Sequence, residues 1–354
     1  MLYPRLMLAK QLLKEDGVIF CSIDDRNQAY VKGLFDEVFG ESNLVSCVVW
    51  NSINSVLKGA KNIRKEHEYI LIYAKDETHL LFNKLASNMT FTNRDNDPKG
   101  AWFSSNAAAP NQNSDTNRFA IRLPNGSECV RNWKFSHDEF INGEVSLYFN
   151  GGNVPRLKIY QSECDINSSV MPSIFVDLGS ITTAKKEIAN IFNDKELFST
   201  PKPIKLVKKI IEISSDKDSV IVDFFAGSGT TGQAVLEQNK DDGGNRQFIL
   251  VTNNEITDQT PNGIAYDVTS KRLKRVMTGS CYDGSSDFDW VKNHTPYGDS
   301  LEVSEITSIA SSDQKIFDAI DERLYGLDFK GDIKAKIKWI CSEFELTCKR
   351  IEGE

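Results

Sequence analysis

Residues 220–237 read V-I-V-D-F-F-A-G-S-G-T-T-G-Q-A-V-L-E: an apolar run ending in an acid, a glycine turn, then a helix-like stretch. Glycines let a backbone turn tightly and approach a ligand closely, so the chemistry indicated is the binding of a nucleotide-type cofactor. Three cofactors compete. A phosphate loop needs G-x-x-x-x-G-K-[ST], because its lysine meets the phosphates, and G-S-G-T-T-G contains no lysine. A dinucleotide loop needs G-x-G-x-x-G with an acid some way beyond the turn, which Gly227, Gly229, Gly232 and Glu255 satisfy. Asp223 speaks against it, since a carboxylate beside a pyrophosphate is repelled. The third candidate, S-adenosyl-L-methionine, carries a sulfonium and an amino acid but no phosphate. Asp223 would face its positive end, Phe225 would form an apolar wall, and Glu255 would take the ribose hydroxyls. The plainest alternative is a strand–turn–helix whose glycines merely satisfy backbone angles.

Other residues could do chemistry elsewhere. Asp24 and Asp25 end an apolar run at 18–23, where acid–base work and helix capping are both open. Glu66, His67 and Glu68 could suggest metal ligation, yet His79, His137 and His294 supply no ligand spacing. Between 79 and 196, Arg118, Arg122, Arg131, Lys134, Arg156 and Lys158 lie among Trp102, Phe103, Phe119, Trp133, Phe135 and Tyr160. Basic residues interleaved with aromatics suit phosphate contacts and base-edge reading. A small β-rich core with solvated charges fits the same pattern.

These residues need elements to hold them. Helical periodicity covers 2–14, 27–39, 204–213 and 269–277, and β-favouring runs cover 18–23, 43–50, 68–73, 220–223 and 247–252. That alternation predicts a doubly wound α/β sheet. From about 76 to 195 the texture becomes irregular and β-rich, with V-S-L-Y-F at 145–149. Residues 283–310 read as loop, and 314–323 and 332–348 as terminal helices. The net charge of -8 is concentrated at the end: from Asp283 onward there are 16 acids against 9 bases, leaving 34 against 33 before it. Basic clusters at Lys58/Lys61/Arg64/Lys65, Lys202/Lys205/Lys208/Lys209 and Lys271/Arg272/Lys274/Arg275 could meet nucleic acid or be solvated helix faces. No run approaches the roughly 18–20 apolar residues of a membrane span. The seven cysteines contain no C-x-x-C pair, which favours a reducing cytoplasm over a zinc or disulfide framework.

D-F-F-A-G-S-G-T-T (223–231) resembles the D-x-F-x-G-S-G-T-T cofactor motif of amino-methyltransferases acting on DNA bases. S-T-P-K-P-I-K-L (199–206) resembles that family's T-P-K-P-x-x-L segment, and D-G-G-N-R-Q-F-I-L-V (242–251) its approach to the ribose acid. L-L-K-E-D-G-V-I-F-C-S-I-D-D (12–25) and K-E-H-E-Y-I-L-I-Y-A-K (65–75) resemble the catalytic half. Catalytic segments first, an insertion, then the cofactor half is the β-class order. The stretches 125–140, 151–160 and 336–349 resemble modification subunits of type III restriction–modification systems. The resemblance implies a Rossmann-like S-adenosyl-L-methionine-dependent sheet with an inserted target recognition region. Its parts would be 1–78 (catalytic half), 79–196 (insertion), 197–281 (cofactor half) and 282–354 (acidic extension). It implies that Lys202, Pro203, Asp223, Phe224, Phe225, Ala226, Gly227, Ser228, Gly229, Thr230 and Glu255 hold the cofactor.

The implied reaction is methyl transfer to adenine N6 in a specific sequence of double-stranded DNA. Implied partners are a second modification subunit in a homodimer and a restriction subunit. The target base must leave the stack and enter a pocket, which the family lines with D-P-P-Y. That motif is absent: T-P-Y (295–297) and D-N-D-P-K (95–99) lack its acid or its aromatic. The family order would put it before Met1. The expectation is therefore a downstream portion of a longer enzyme, with a sheet incomplete on the N-terminal side, through a split gene, frameshift or misplaced start. Contrasting expectations are a non-catalytic fragment that binds cofactor, DNA or a sister subunit, and a dinucleotide-dependent oxidoreductase.

Overall fold

A computed structural model describes residues 2–53, 62–85, 89–150, 154–164, 169–305 and 327–352. The helix expected at 314–323 and the basic residues Lys58 and Lys61 lie outside them. The chain divides into two compact units, residues 1–81 with 173–354, and residues 82–172.

The larger unit begins with α1 (Tyr3–Leu12), β1 (Val18–Ile23), α2 (Gln28–Phe39), β2 (Leu44–Asn51) and β3 (His67–Ala74). β3 runs antiparallel to both neighbours, pairing Phe20 with Ile72 on one side and Val48 with Ile70 on the other. Its central place explains its unbroken apolar run, with Ile70 to Ala74 all buried. Leu6, Phe35, Val38 and Phe39 of the two helices pack on Leu71 and Tyr73. Each such side chain contributes about 1.5–3 kcal/mol on burial. Phe224, from far along the chain, joins the edge of this cluster.

The smaller unit carries β4 (Trp102–Asn106), β5 (Arg118–Arg122), β6 (Glu128–Asn132), α3 (His137–Ile141), β7 (Leu147–Tyr148) and β8 (Arg156–Tyr160). β8 lies between β4 and β7 in an antiparallel sheet, while β5 and β6 form a hairpin. Ile121, Leu123, Cys129, Trp133 and Phe135 make its core.

The chain then returns to the larger unit through β9 (Ile174–Phe175), parallel to β2, and α4 (Ile181–Phe192). These two elements fall within the 79–196 span expected for the insertion, but they pack in the larger unit. There follow α5 (Ile204–Ser214), β10 (Val220–Asp223), α6 (Thr230–Asp242), β11 (Gln247–Leu250), α7 (Lys271–Thr278), α8 (Trp290–Asn293) and α9 (Ile333–Glu352). β10 and β11 are parallel, pairing Val222 with Ile249, which requires a crossover. α6 supplies it. Ala234 and Val235 of α6 pack on Ile211 of α5, and Leu236 packs with Ile191, Leu273 and Val276. The fold is Rossmann-like mixed α/β. The stretch expected as loop at 283–310 contains α8, because Phe288 and Trp290 are buried in the α4–α7 core.

Candidate cofactor site

The turn 224–229 is built by its own backbone and by Asp223. Ala226 N–H donates to Val251 O at 3.1 Å, and Gly229 N–H to Ala226 O at 2.8 Å. Asp223 Oδ1 accepts Phe225 N–H at 3.0 Å, and Oδ2 accepts the Thr231 hydroxyl at 2.6 Å. The acid therefore ties the end of β10 to the first turn of α6. Gly229 opens that helix at φ +74°, a left-handed conformation that L side chains resist. Gly232 serves packing instead, since a Cβ there would lie 2.8 Å from Leu273 Cδ2. Phe225 is 60% exposed beside Phe224, whose ring centroid is 5.2 Å away. An exposed aromatic at a glycine turn is an apolar wall available to a ligand.

Two neighbours hold the turn. The π-helical segment Ala265–Ser270 clamps it from one side: the Thr269 hydroxyl donates to Gly227 O at 2.6 Å. The same segment begins where Ile264 N–H meets Glu255 O at 3.0 Å, leaving Glu255 exposed just beyond β11. On the other side, Thr230 donates its hydroxyl proton to Lys202 O at 3.2 Å. Lys202 Nζ reaches Glu68 Oε2 at 2.5 Å and stands 5.3 Å over the Trp50 ring. Pro203 abuts Gly179, whose carbonyl accepts the Trp50 indole N–H at 3.1 Å. All the residues expected at the cofactor, from Lys202 to Glu255, thus belong to one connected structure around the turn.

Sequence reasoning missed Arg272. It stands among four basic residues at 271–275 whose pattern suggests a nucleic-acid patch or a solvated face. Arg272 is instead fully buried, donating to Thr230 Oγ1 at 2.8 Å and Gln233 Oε1 at 2.7 Å. The signal lay in its spacing: it falls on the stripe of Val268, Leu273 and Val276, all buried. Burial pushes its guanidinium down to about 10. The other basic clusters are largely engaged as well. Lys208 meets Glu237 at 2.7 Å and also pairs with Asp241, Lys209 meets Glu212 at 2.5 Å, and Lys271 meets Asp267 at 2.8 Å.

Asp24 caps a local turn through Asn27 N–H at 2.9 Å, and Asp25 pairs with Lys65 at 2.5 Å. Among the described residues no group of three or more His, Cys, Asp or Glu is placed to hold a metal ion, and Glu68 is taken by Lys202.

In the smaller unit, the six cations expected to meet phosphates and base edges differ in how far they are engaged. Lys158 is only 8% exposed and is clasped by Asp95 at 2.6 Å and Asp97 at 2.5 Å. Its charge is satisfied inside the unit. Arg156 donates to Ser104 Oγ at 3.1 Å, and Arg118 to Gln112 O at 2.9 Å. Arg122, Arg131 and Lys134 remain exposed.

The profile of the DNA methylase family matches residues 1–259. The chain belongs to that family. It is 34% identical over 291 residues to the Mod subunit of the type III restriction–modification enzyme StyLTI of Salmonella typhimurium, covering 78% of this chain and 44% of the relative. It is 33% identical over 328 residues to the EcoPI Mod subunit of Escherichia phage P1, covering 79% and 50%. It is 30% identical over 326 residues to the type II methyltransferase M.KpnI of Klebsiella pneumoniae, covering 82% and 75%. The methylase chain spans about half the length of the Mod subunits it matches. No helix among the described residues is long and apolar enough to cross a membrane.

Proposed function

We propose that this DNA methylase chain binds S-adenosyl-L-methionine at the 223–230 turn and serves methyl transfer to adenine N6 in double-stranded DNA. The observation that carries the cofactor reading is the turn itself. It has positive-φ glycine, an exposed Phe225 and an acid at its start, and it lacks the lysine that a phosphate loop requires. S-adenosyl-L-methionine would supply a methyl group activated by sulfonium. Asp223 and Thr231 hold the turn open, Phe225 offers the apolar wall, and exposed Glu255 is available to two ribose hydroxyls. Lys202 and Pro203 close the side next to Trp50.

The type III assignment follows the Mod subunits to which the chain is similar, and the adenine specificity follows the motif resemblance of the sequence. With them come the proposed partners: double-stranded DNA, a second modification subunit in a homodimer, and the restriction subunit, all in the cytoplasm. Residues 82–172 would be the target recognition region, meeting phosphates through exposed Arg122, Arg131 and Lys134, with Arg118 at the hairpin edge. Calorimetry with S-adenosyl-L-methionine and NAD tests the cofactor: tighter binding of NAD would defeat the reading in favour of a dinucleotide oxidoreductase.

One observation favours a second reading. The sequence contains no D-P-P-Y, so the chain could bind cofactor and DNA without turnover. A methylation assay on the chain as it stands separates the two, scoring transfer of labelled methyl groups to duplex DNA. Turnover would mean that residues other than D-P-P-Y orient the amine.

A further inference from the structure

Arg272 is the one charged group in the cofactor half that is 0% exposed. Its Nη1 donates to Thr230 Oγ1 at 2.8 Å, to Ser228 O at 3.2 Å and to Ser228 Oγ at 3.3 Å. Its Nε donates to Gln233 Oε1 at 2.7 Å. Nη2 finds no partner. Every acceptor it has is neutral. Glu187 is the acid whose charge reaches it, and burial pushes that carboxyl toward its protonated form.

A buried cation without an ion-paired carboxylate is expensive, and a neutral side chain of similar volume would pack at lower cost. Fixing the fold is therefore a poor sole reason for an arginine here. Its charge adds to that of the α6 N-terminus, whose first N–H groups have no partner inside the helix. Ser228 and Thr230, the two residues it holds, form that N-terminus. Asp223 ends β10 before the turn, and its Oδ2 accepts the Thr231 hydroxyl in that first helical turn. Arg272 and the free N–H groups at the start of α6 thus place positive potential behind the turn, which suits the carboxylate of an amino acid.

We infer that Arg272 is a positioning residue that fixes buried Ser228 and Thr230, so that the backbone N–H groups at the start of α6 meet the carboxylate of the amino-acid part of the cofactor. This inference rests on the S-adenosyl-L-methionine reading.

Calorimetry on the full chain with S-adenosyl-L-methionine and its decarboxylated form tests it. The unaltered chain should bind the carboxylated ligand about tenfold tighter, equivalent to about 1.4 kcal/mol. Arg272→Gln should weaken that ligand about tenfold and the decarboxylated one less than about threefold, so the preference collapses. Arg272→Lys keeps the charge and should keep the preference; its loss in a folded Lys variant overturns the electrostatic role. Equal weakening of both ligands by Arg272→Gln would reduce the residue to packing and overturn the inference. If Arg272→Gln does not fold, the unaltered chain and Arg272→Lys decide. Equal affinities in the unaltered chain overturn the inference alone. Binding of neither ligand overturns the cofactor reading with it.

Discussion

Lys202 Nζ lies 2.5 Å from Glu68 Oε2, so a residue bonded to the 223–230 turn is held by the first residues of β3, 134 positions away. Trp50, wholly buried on β2, lies beneath the same ammonium. The pair is partly shielded, with side chains 31% and 16% exposed, and an ion pair so placed is worth more than a surface one. Glu68→Gln should leave Lys202 unpaired and weaken S-adenosyl-L-methionine binding about three- to tenfold, which is roughly 0.7–1.4 kcal/mol. The readout is the cofactor-induced rise in Tm, since a ligand at a hundredfold excess over Kd adds about 2.7 kcal/mol. A variant whose Tm rises with cofactor as far as the unaltered chain would show the bridge to be idle.

The two glycines at the start of α6 should fail in different ways. Gly232→Ala places a Cβ 2.8 Å from Leu273 Cδ2 and 3.1 Å from Leu250 Cδ1. Overpacking of this kind costs about 1–3 kcal/mol and should lower the urea midpoint with little effect on cofactor Kd. Gly229→Val forces a β-branched residue to φ +74° against Thr269, a strain of order 1–3 kcal/mol located at the turn proposed to bind the cofactor. Its cofactor Kd should rise by more than about tenfold. Identical splits between stability and binding for the two variants would contradict these roles.

Much of this architecture is legible in the chain because it is local. β3 reads as a buried strand from E-Y-I-L-I-Y alone, and the acid, glycine turn and helix of 220–237 follow one another without interruption. What escaped was long-range. Lys158 looks like a free cation until Asp95 and Asp97, some sixty residues earlier, fold against it. Arg272 looks like a surface charge until the stripe of Val268 and Val276 is laid over a real helix. Glu68 resembled a metal ligand because nothing nearby in sequence announces Lys202 as its partner. Charge placement depends on tertiary partners, whereas apolar periodicity does not.

If the exposed cations of the smaller unit meet phosphates, each should carry its own share of the salt dependence. Arg122→Ala, Arg131→Ala and Lys134→Ala should each reduce the slope of log K against log salt by about 1. Fluorescence anisotropy on labelled duplex DNA across a salt series measures it. Lys158→Ala should behave differently, destabilising the unit while leaving the slope unchanged in whatever fraction stays folded, because its charge is spent on Asp95 and Asp97. A drop in slope for Lys158→Ala comparable to that of Arg131→Ala would mean that the Lys158 ammonium meets DNA despite its two carboxylates.

The same triad should make the smaller unit acid-sensitive. The Lys158 ammonium, with the Tyr160 hydroxyl at 2.8 Å and the Lys99 N–H at 2.9 Å, holds the Asp97 carboxyl down to about 2 from an ordinary 3.8. Asp95 is lowered as well, by Lys158 and by the Trp102 indole N–H at 2.9 Å. A carboxyl depressed in the folded state contributes stability that is fully present above its unfolded pKa and disappears as pH falls through its folded one. The loss should therefore run from about pH 4 to about pH 2. Trp102 reports on it directly, since its indole is bonded to Asp95 and its ring lies 5.0 Å from the Lys158 ammonium. Urea midpoints taken by tryptophan fluorescence should fall across that window in the unaltered chain. In Asp97→Asn they should start lower at neutral pH and fall less, because the group that titrates is gone. A parallel fall in both chains would place the acid sensitivity elsewhere.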